Sequence, residues 1–390
     1  MVRGVRVAGV AANLYGKLRQ DLALFAFDDG VTMAGVFTQN AFCAAPVQIA
    51  RMHLASEPRA WLVNTKSANA GTGQPGLDDA LTCCGWVAEH LDLDPEQVLP
   101  FSTGVIGAPL PMSLIESGIE SAVESLGDAN WPDAAAAILT TDTRPKQASR
   151  SLSIDGETVV IEGISKGSGM IQPNMATMLG FVATDASVSQ GDLQQLLIDA
   201  TNLSFNRITV DGDTSTNDAC VLAATGQGPD LSPAHPQWSV FADAITDVMV
   251  ELAQAIVRDG EGATKFVTID VAGAQSDEQA HVIAKTVAHS PLVKTALFAS
   301  DANWGRLLAA IGRAPVEDLD VSQIQLRIGD VSLLKDGAVD PSYTEAEGAR
   351  VFAQSDIHIQ IDLGQSDGQA CVWTCDLSHD YVSINADYRS

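Results

Sequence analysis

The chain has 390 residues, 46% of them apolar, so it holds enough apolar residues for a large core and is too long for one small domain. Its formal net charge of −27 excludes the basic surface that nucleic-acid backbones require and argues equally against anionic membrane surfaces. The plain reading of so much acid is a solvated, highly soluble exterior. The start, MVRGVRVAGVAANLYGK, has no unbroken apolar core for a signal peptide, and no run of about 18 apolar residues suggests a membrane span.

In chain order, Ala60–Asn64 (AWLVN) reads as a strand. GTGQPG follows, with Gly71, Gly73 and Gly76 in GxGxxG spacing ahead of the helix-like LDDALTCCGWVAEHL. A dinucleotide reading is opposed by the five residues before Gly71, by Pro75, and by Glu96 lying after Pro95 in a loop-like stretch. Ile115, Ile119, Ala122, Val123 and Leu126 have helical spacing. In SLSIDGETVVIEGI, Asp155-Gly156 signals a two-residue hairpin. MLGFVAT reads as a strand. Leu193, Leu196, Leu197 and Ala200 form a helical stripe, with Ser189 and Asp192 placed like a capping box. Phe241, Ile245, Val248, Met249, Leu252 and Ile256 form another, and Gly260 is the expected terminator. Val267–Val271, His358–Leu363 and Ala370–Cys375 read as strands. Hairpins mixed with helices predict an α/β class with mixed, partly antiparallel sheets. No linker or repeat marks a domain border.

The six cysteines (Cys43, Cys83, Cys84, Cys220, Cys371, Cys375) make neither a disulfide framework nor CxxC, and the seven histidines form no HExxH. Buried thiols in a reducing cytoplasm are expected, with no metal and no cofactor. DGDTSTND (Asp211–Asp218) lacks the glycine and glutamate of a calcium loop and reads as a polar turn packed against a site. In RDGEGATK, Glu261 lies between two glycines, where a carboxylate is either solvated or available to a substrate amine. FSTGVIG sets a hydroxyl beside a glycine, a pairing that offers a side-chain donor and a backbone N–H to a developing oxyanion; an ordinary strand exit is the alternative.

KGSGMIQPNMATMLGF raises a sharper possibility at Thr177. In mid-chain this threonine is only a β-branched residue entering a strand. If the Ala176–Thr177 bond breaks, its α-amine lies beside its own hydroxyl. An α-amino group has a pKa near 7.7–8.0 and serves as a base near neutrality, which activates the hydroxyl as a nucleophile. Ala176 leaves the scissile carbonyl accessible, and Lys166 is then a candidate for a substrate carboxylate.

KGSGMIQPNMATMLGFVATDA resembles the self-cleavage segment of the ornithine acetyltransferase (ArgJ) family. The similarity runs along the chain through DLALF, FTQNAFCAAPV, FSTGVIG, TTDTRPK, SFNRITVDGDTSTND, RDGEGATK, VKTALFASDANWGR and YVSINADYRS. One departure is NTKSANA (Asn64–Ala70), where the family usually has a segment like NSGNANA. The resemblance implies an α chain of residues 1–176 and a β chain of residues 177–390, kept as one folded unit and pairing further into a heterotetramer of two α and two β chains. It implies the layered α/β sandwich shared with the D-aminopeptidase DmpA. It also implies an oxyanion hole at Thr103 and Gly104, and substrate contacts at Thr143, Lys166, Thr177, Glu261, Asn385 and Ser390. The implied reaction moves acetyl from N²-acetylornithine to L-glutamate in arginine biosynthesis, and some members also take acetyl from acetyl-CoA. The alternative is an N-terminal-threonine aminopeptidase or amidase of the DmpA type.

Overall fold

A computed structural model describes residues 1–172 and 178–386. It resolves into two compact units. The first comprises Met1–Asn206 with Asp213–Ile256, and the second Arg207–Gly212 with Val257 onward. The chain visits the second unit briefly at residues 207–212, which explains why no single linker marks a border in the sequence.

The strands of the first unit are β1 (Val5–Val10), β2 (Leu22–Phe27), β3 (Thr32–Phe37), β4 (Ala60–Asn64), β5 (Val98–Ser102), β6 (Lys146–Ile154), β7 (Glu157–Lys166), β8 (Leu179–Thr184), β9 (Ser187–Val188), β10 (Ala219–Ala224) and β11 (Asp230–Leu231). Its helices are α1 (Ala45–His53), α2 (Gly73–Leu91), α3 (Met112–Glu124), α4 (Trp131–Ala137), α5 (Gln190–Leu203) and α6 (Trp238–Arg258). One sheet has the order β1-β2-β4-β5 and a second β3-β10-β8-β7-β6. Both mix the two senses: β4–β5 and β8–β10 are parallel, and the other pairings are antiparallel.

Between the two sheets lies an aromatic core of Phe25, Trp61, Phe101 and Phe181, each 2% exposed or less. Phe25 lies 5.3 Å from Trp61 and 5.6 Å from Phe181, and Phe101 meets Phe181 edge-on at 5.1 Å. Such pairs contribute about 0.5–1.5 kcal/mol each beyond their burial. The outer face of the first sheet carries Leu22, Leu24, Leu62 and Val98 against α2 and α3. Leu252 of α6 lies beside Gly163 of β7, on the second sheet. The result is a layered α/β sandwich of mixed sheets, as the sequence predicts.

Local rules account for the elements. Asp155 and Gly156 have φ of 52° and 83°, the pair of positive values a type I′ hairpin needs. Ser189 accepts from Asp192 N at the start of α5. The apolar stripe of α6 is wholly buried from Phe241 to Ile256. Gly260 is not the left-handed terminator expected: α6 ends at Arg258, Gly260 N–H donates to Val257 O, and the positive φ falls at Gly262. The GTGQPG turn closes on itself, with Asn69 Nδ2 donating to Gly76 O and Thr72 Oγ1 to Asn69 Oδ1.

The second unit holds β12 (Phe266–Ala274), β13 (Gln325–Ile328), β14 (Val331–Lys335), β15 (Ala338–Val339), β16 (Asp356–Asp362) and β17 (Gly368–Cys375) in the order β15-β14-β13-β16-β12-β17. Its helices are α7 (Asp277–Ala288), α8 (Pro291–Phe298), α9 (Trp304–Gly312), α10 (Glu345–Phe352) and α11 (His379–Ala386). Ile269, Ile359 and Val372 share a core with Ile283, Val287, Leu307 and Ile311. All six cysteines are free thiols; Cys83, Cys84, Cys220 and Cys375 are buried as expected, whereas Cys43 and Cys371 are only half-buried. Among the described residues, no helix is long and apolar enough to cross a membrane.

Lys285 on α7 donates to Ile208 O at 2.8 Å. Burial, reinforced by the nearby charge of Arg207, pushes its amine down to about 7. In the unfolded chain a lysine titrates near 10.4. Above pH 7 the unfolded chain therefore binds more protons at this site, and stability rises with pH. The benefit is complete only above the unfolded value and is lost as pH falls through about 7. Between pH 7 and 8 the wild-type unfolding free energy should climb by at most about 1.4 kcal/mol from this group. Lys285→Met should flatten that slope in denaturant titrations, and equal slopes in the two proteins would show that Lys285 does not titrate in the fold.

Candidate active site

Strands β4 and β5 run parallel and end side by side at Asn64 and Ser102. In parallel sheets the loops beyond the carboxyl ends of strands are where ligands bind. Here two such loops are stitched together. Thr103 N–H donates to Asn64 O, Val105 N–H to Lys66 O, Ala68 N–H to Val105 O and Gly107 N–H to Ala70 O, all between 2.8 and 3.0 Å. Gly104 has φ of 133°, and a Cβ there would lie 2.3 Å from the Lys66 carbonyl. Only glycine allows this approach. Among the described residues nothing accepts from Gly104 N–H, so it remains available to a ligand.

Thr103 is nearly buried, and its Oγ1 lies 3.3 Å from Nζ of Lys166, the last residue of β7. The ammonium donates and the hydroxyl oxygen accepts, which leaves the Thr103 O–H free to donate elsewhere. The STGVIG pair thus has a hydroxyl and a backbone N–H that donate to no hydrogen-bond partner among the described residues. In NTKSANA, Lys66 has φ of 74° and its side chain is exposed, while its backbone N–H donates to Tyr15 Oη at 3.1 Å.

The charge around Lys166 is set by Asp142. Its carboxylate accepts from Lys146 Nζ at 2.6 Å and Gly167 N–H at 2.7 Å, with both side chains of the ion pair essentially buried. Burial alone would raise Asp142, but the charges of Lys166 and Lys146 and these hydrogen bonds outweigh it and hold the carboxyl at about 2. Asp218 goes the other way. Burial raises it well above the carboxylate range, only partly offset by Ser215 and by the charge of Lys166. Its Oδ2 is buried without a hydrogen-bond partner, which disfavours the charged form. Among the described residues, the charges of both Lys146 and Lys166 act on Asp142. Thr143 is exposed beside Asp142.

In the second unit, Glu261 is buried in the RDGEGATK loop. Its Oε2 accepts from Asn385 Nδ2 of α11 at 2.7 Å, and the same amide donates to Tyr381 O. Gly262 has φ of 67°, and a Cβ there would strike Ser378 Oγ and Tyr381 N at 2.5 and 2.6 Å. Ser378 Oγ donates to Gly262 O, and Asp376 accepts from Thr264 and Lys265 N–H. The structure thus brings Glu261 and Asn385 together, and separately Thr103, Gly104 and Lys166. Ala176, Thr177 and Ser390 lie outside the described residues.

Asp142, Asn64 and Asn217 were not singled out from the sequence. The spacing of Asp142 and Lys146 is the only local signal for the first. The roles of the two asparagines depend on loops that only tertiary contacts bring together.

The family model described as "ArgJ family" matches residues 6–390. The chain is 51% identical to the arginine biosynthesis bifunctional protein ArgJ of Pseudomonas fluorescens, with 100% of this chain and 97% of that protein covered. It is 52% identical to the protein of the same name from Methylococcus capsulatus, covering 100% and 96%. A solved chain of arginine biosynthesis bifunctional protein ArgJ from Bacillus halodurans is 43% identical with a TM-score of 0.52, covering 54% of this chain and 99% of that one.

Gly104→Ala should lower the melting temperature by an amount equivalent to about 1–3 kcal/mol, through a positive φ combined with a backbone collision. Gly107→Ala is the control, because φ there is 81° but nothing lies within 4 Å of the added Cβ. Gly107→Ala should cost less. Equal melting shifts would mean that the Lys66 carbonyl yields freely to the added methyl group.

Proposed function

The chain belongs to the ArgJ family, and from that premise we infer that it is an acyltransferase of arginine biosynthesis, moving acetyl from N²-acetylornithine to L-glutamate. The observation that carries this reading is identity of half or more over the whole chain with proteins of that name. The word "bifunctional" in their name supports a second acetyl donor, which we take to be acetyl-CoA. The reaction is placed in the cytoplasm and uses no cofactor.

The precursor cleaves itself between Ala176 and Thr177. The Thr177 hydroxyl attacks the Ala176 carbonyl, the peptide nitrogen leaves as the new α-amine, and water hydrolyses the resulting ester. The products are residues 1–176 and 177–390, two of each forming a heterotetramer. The larger product has 390 − 176 = 214 residues, about 55% of the chain. The solved Bacillus halodurans chain, nearly all of which aligns with 54% of this one, has the length such a product would have, which supports the reading.

In transfer, the freed α-amine takes the Thr177 proton as the oxygen attacks the acetyl carbonyl of acetylornithine. Thr103 O–H and Gly104 N–H receive the negative charge that develops on the carbonyl oxygen. Ornithine leaves with the proton, and acetyl remains as an ester on Thr177. The amine of glutamate then attacks that ester and carries acetyl away. Both amino acids share the α-carboxylate, which Lys166 is suited to hold, with Thr143 alongside. Glu261, with Asn385, offers a carboxylate to the ornithine amine, and Ser390 completes the contacts.

Three measurements test this. Denaturing mass analysis of the wild type should give two chains divided at residues 176 and 177, and Thr177→Ala a single uncut chain; an intact wild type after long incubation would end the proposal. Enzyme quenched with acetylornithine alone should carry one acetyl group, about 42 Da as a covalent acyl intermediate requires, on the larger chain only. Thr103→Ala should slow turnover about 100- to 1,000-fold with a much smaller change in KM. Unchanged kcat in folded Thr103→Ala would remove that hydroxyl from the mechanism.

A further inference from the structure

The turn that presents Thr103 and Gly104 needs something to fix its direction. The peptide group joining Ser102 to Thr103 is the fixed plane from which the Thr103 backbone angles aim the next N–H, that of Gly104. Its N–H is held by Asn64 O at 3.0 Å. Its carbonyl is held from the opposite side by Asn217, whose Nδ2 donates to Ser102 O at 2.9 Å. The same Nδ2 donates to Ala68 O at 2.5 Å, on the partner loop. One amide group therefore spans both loops that form the turn.

Asn217 is itself held. It is only 6% exposed. Its Oδ1 accepts from Thr216 Oγ1 at 2.6 Å, and its backbone N–H donates to Ser215 Oγ at 3.1 Å. Two carbonyls on one side and a hydroxyl on the other admit only this orientation of the amide. The flanking segment is pinned in turn: Thr38 N–H donates to Asp218 O, Ala44 N–H to Thr216 O and Asn40 Nδ2 to Thr214 O. Behind the turn, Ser102 Oγ donates to Asn64 Oδ1 at 2.6 Å, and Asn64 Nδ2 donates to Thr65 O and Ser67 O. Every polar atom of both asparagine side chains has a partner, the condition under which a buried network is rigid.

We propose that Asn217 is a positioning residue for acetyl transfer, holding the Ser102–Thr103 peptide so that Thr103 and Gly104 aim both donors at the oxyanion. The proposal rests on the oxyanion role given to that pair above. A polar turn packed against a site is what DGDTSTND suggests in the sequence, and Asn217 is the member that reaches across.

Asn217→Ala should lower kcat by about 100-fold, the size of a misplacement of roughly 1 Å, with KM for acetylornithine little changed. A residue that merely stabilises the fold would lower the melting temperature without that split. The decisive measurement is the double variant with Thr103→Ala. If Asn217 works through the turn, the double variant should be about as slow as the slower single one, because the two act as a unit. Losses that multiply, or a folded Asn217→Ala with wild-type kcat beside a slow Thr103→Ala, would overturn the proposal and leave the oxyanion reading standing. A Thr103→Ala enzyme with unchanged kcat would remove that reading, and this proposal with it. Should Asn217→Ala fail to fold, Asn217→Asp, which keeps the size and loses the donor, takes its place under the same outcomes.

Discussion

Parallel pairing of β4 with β5 continues past the ends of both strands. The ladder Ala60↔Val98 to Asn64↔Ser102 passes into loop bonds from Asn64 to Thr103, Lys66 to Val105 and Ala70 to Gly107. A loop normally fluctuates more than the strand it leaves. Here the register of the sheet is imposed on the turn, and the cost appears in the backbone, at positive-φ residues that include Lys66, Asn69 and Gly104. Gly104 meets it by having no Cβ. Lys66, at φ 74°, meets it with a side chain that any left-handed conformation disfavours, by about 1–2 kcal/mol. Donors that face a developing charge are most effective when they need no reorganisation, so a turn inherited from a sheet is a sound place to put them.

Electrostatics around Lys166 follow the same economy. The protein as a whole is strongly acidic, and the charges of Lys146 and Lys166 both act on one buried carboxylate, Asp142, which they help hold ionised. Burial pushes the second carboxyl near Lys166, Asp218, well above the ordinary carboxylate range, so its neutral form is favoured relative to a solvated aspartate. The excess of acid is spent on the solvated exterior, where water and salt screen it.

Much of this was legible in the sequence, and the reasons differ by element. Periods of 3.6 residues located α3, α5 and α6, and Asp155-Gly156 fixed a hairpin, because those signals are local. STGVIG suggested an oxyanion pair because its chemistry lies within two adjacent residues. Glu261 stood out between the glycines of RDGEGATK, but Asn385 came from family resemblance alone, since 124 residues separate the two and only folding brings them to 2.7 Å. Asn217 and Asp142 act through loops that meet in space, so no period or spacing could announce them. The expected terminator at Gly260 was displaced because the sharp turn serves Glu261 and its packing on Ser378 and Tyr381, rather than the end of the helix.

Topology bears on how a chain cut between Ala176 and Thr177 would hold together. The cut falls in the connection between β7 and β8, which are neighbours in one sheet. Their antiparallel ladder runs from Ile161↔Thr184 to Lys166↔Leu179. On its far side β8 pairs with β10, and Ala219 N–H donates to Met178 O just before that pairing begins. Phe25, Trp61 and Phe101, all before residue 176, pack on Phe181 and share its core with Val221, after it. Breaking the bond therefore removes a covalent link between strands that hydrogen bonds and an aromatic core already join. What is lost is the entropy of one loop closure, which grows only slowly with length. What would be kept is the ladder and the shared core, so a strand of the smaller product and a strand of the larger one would remain parts of the same sheet.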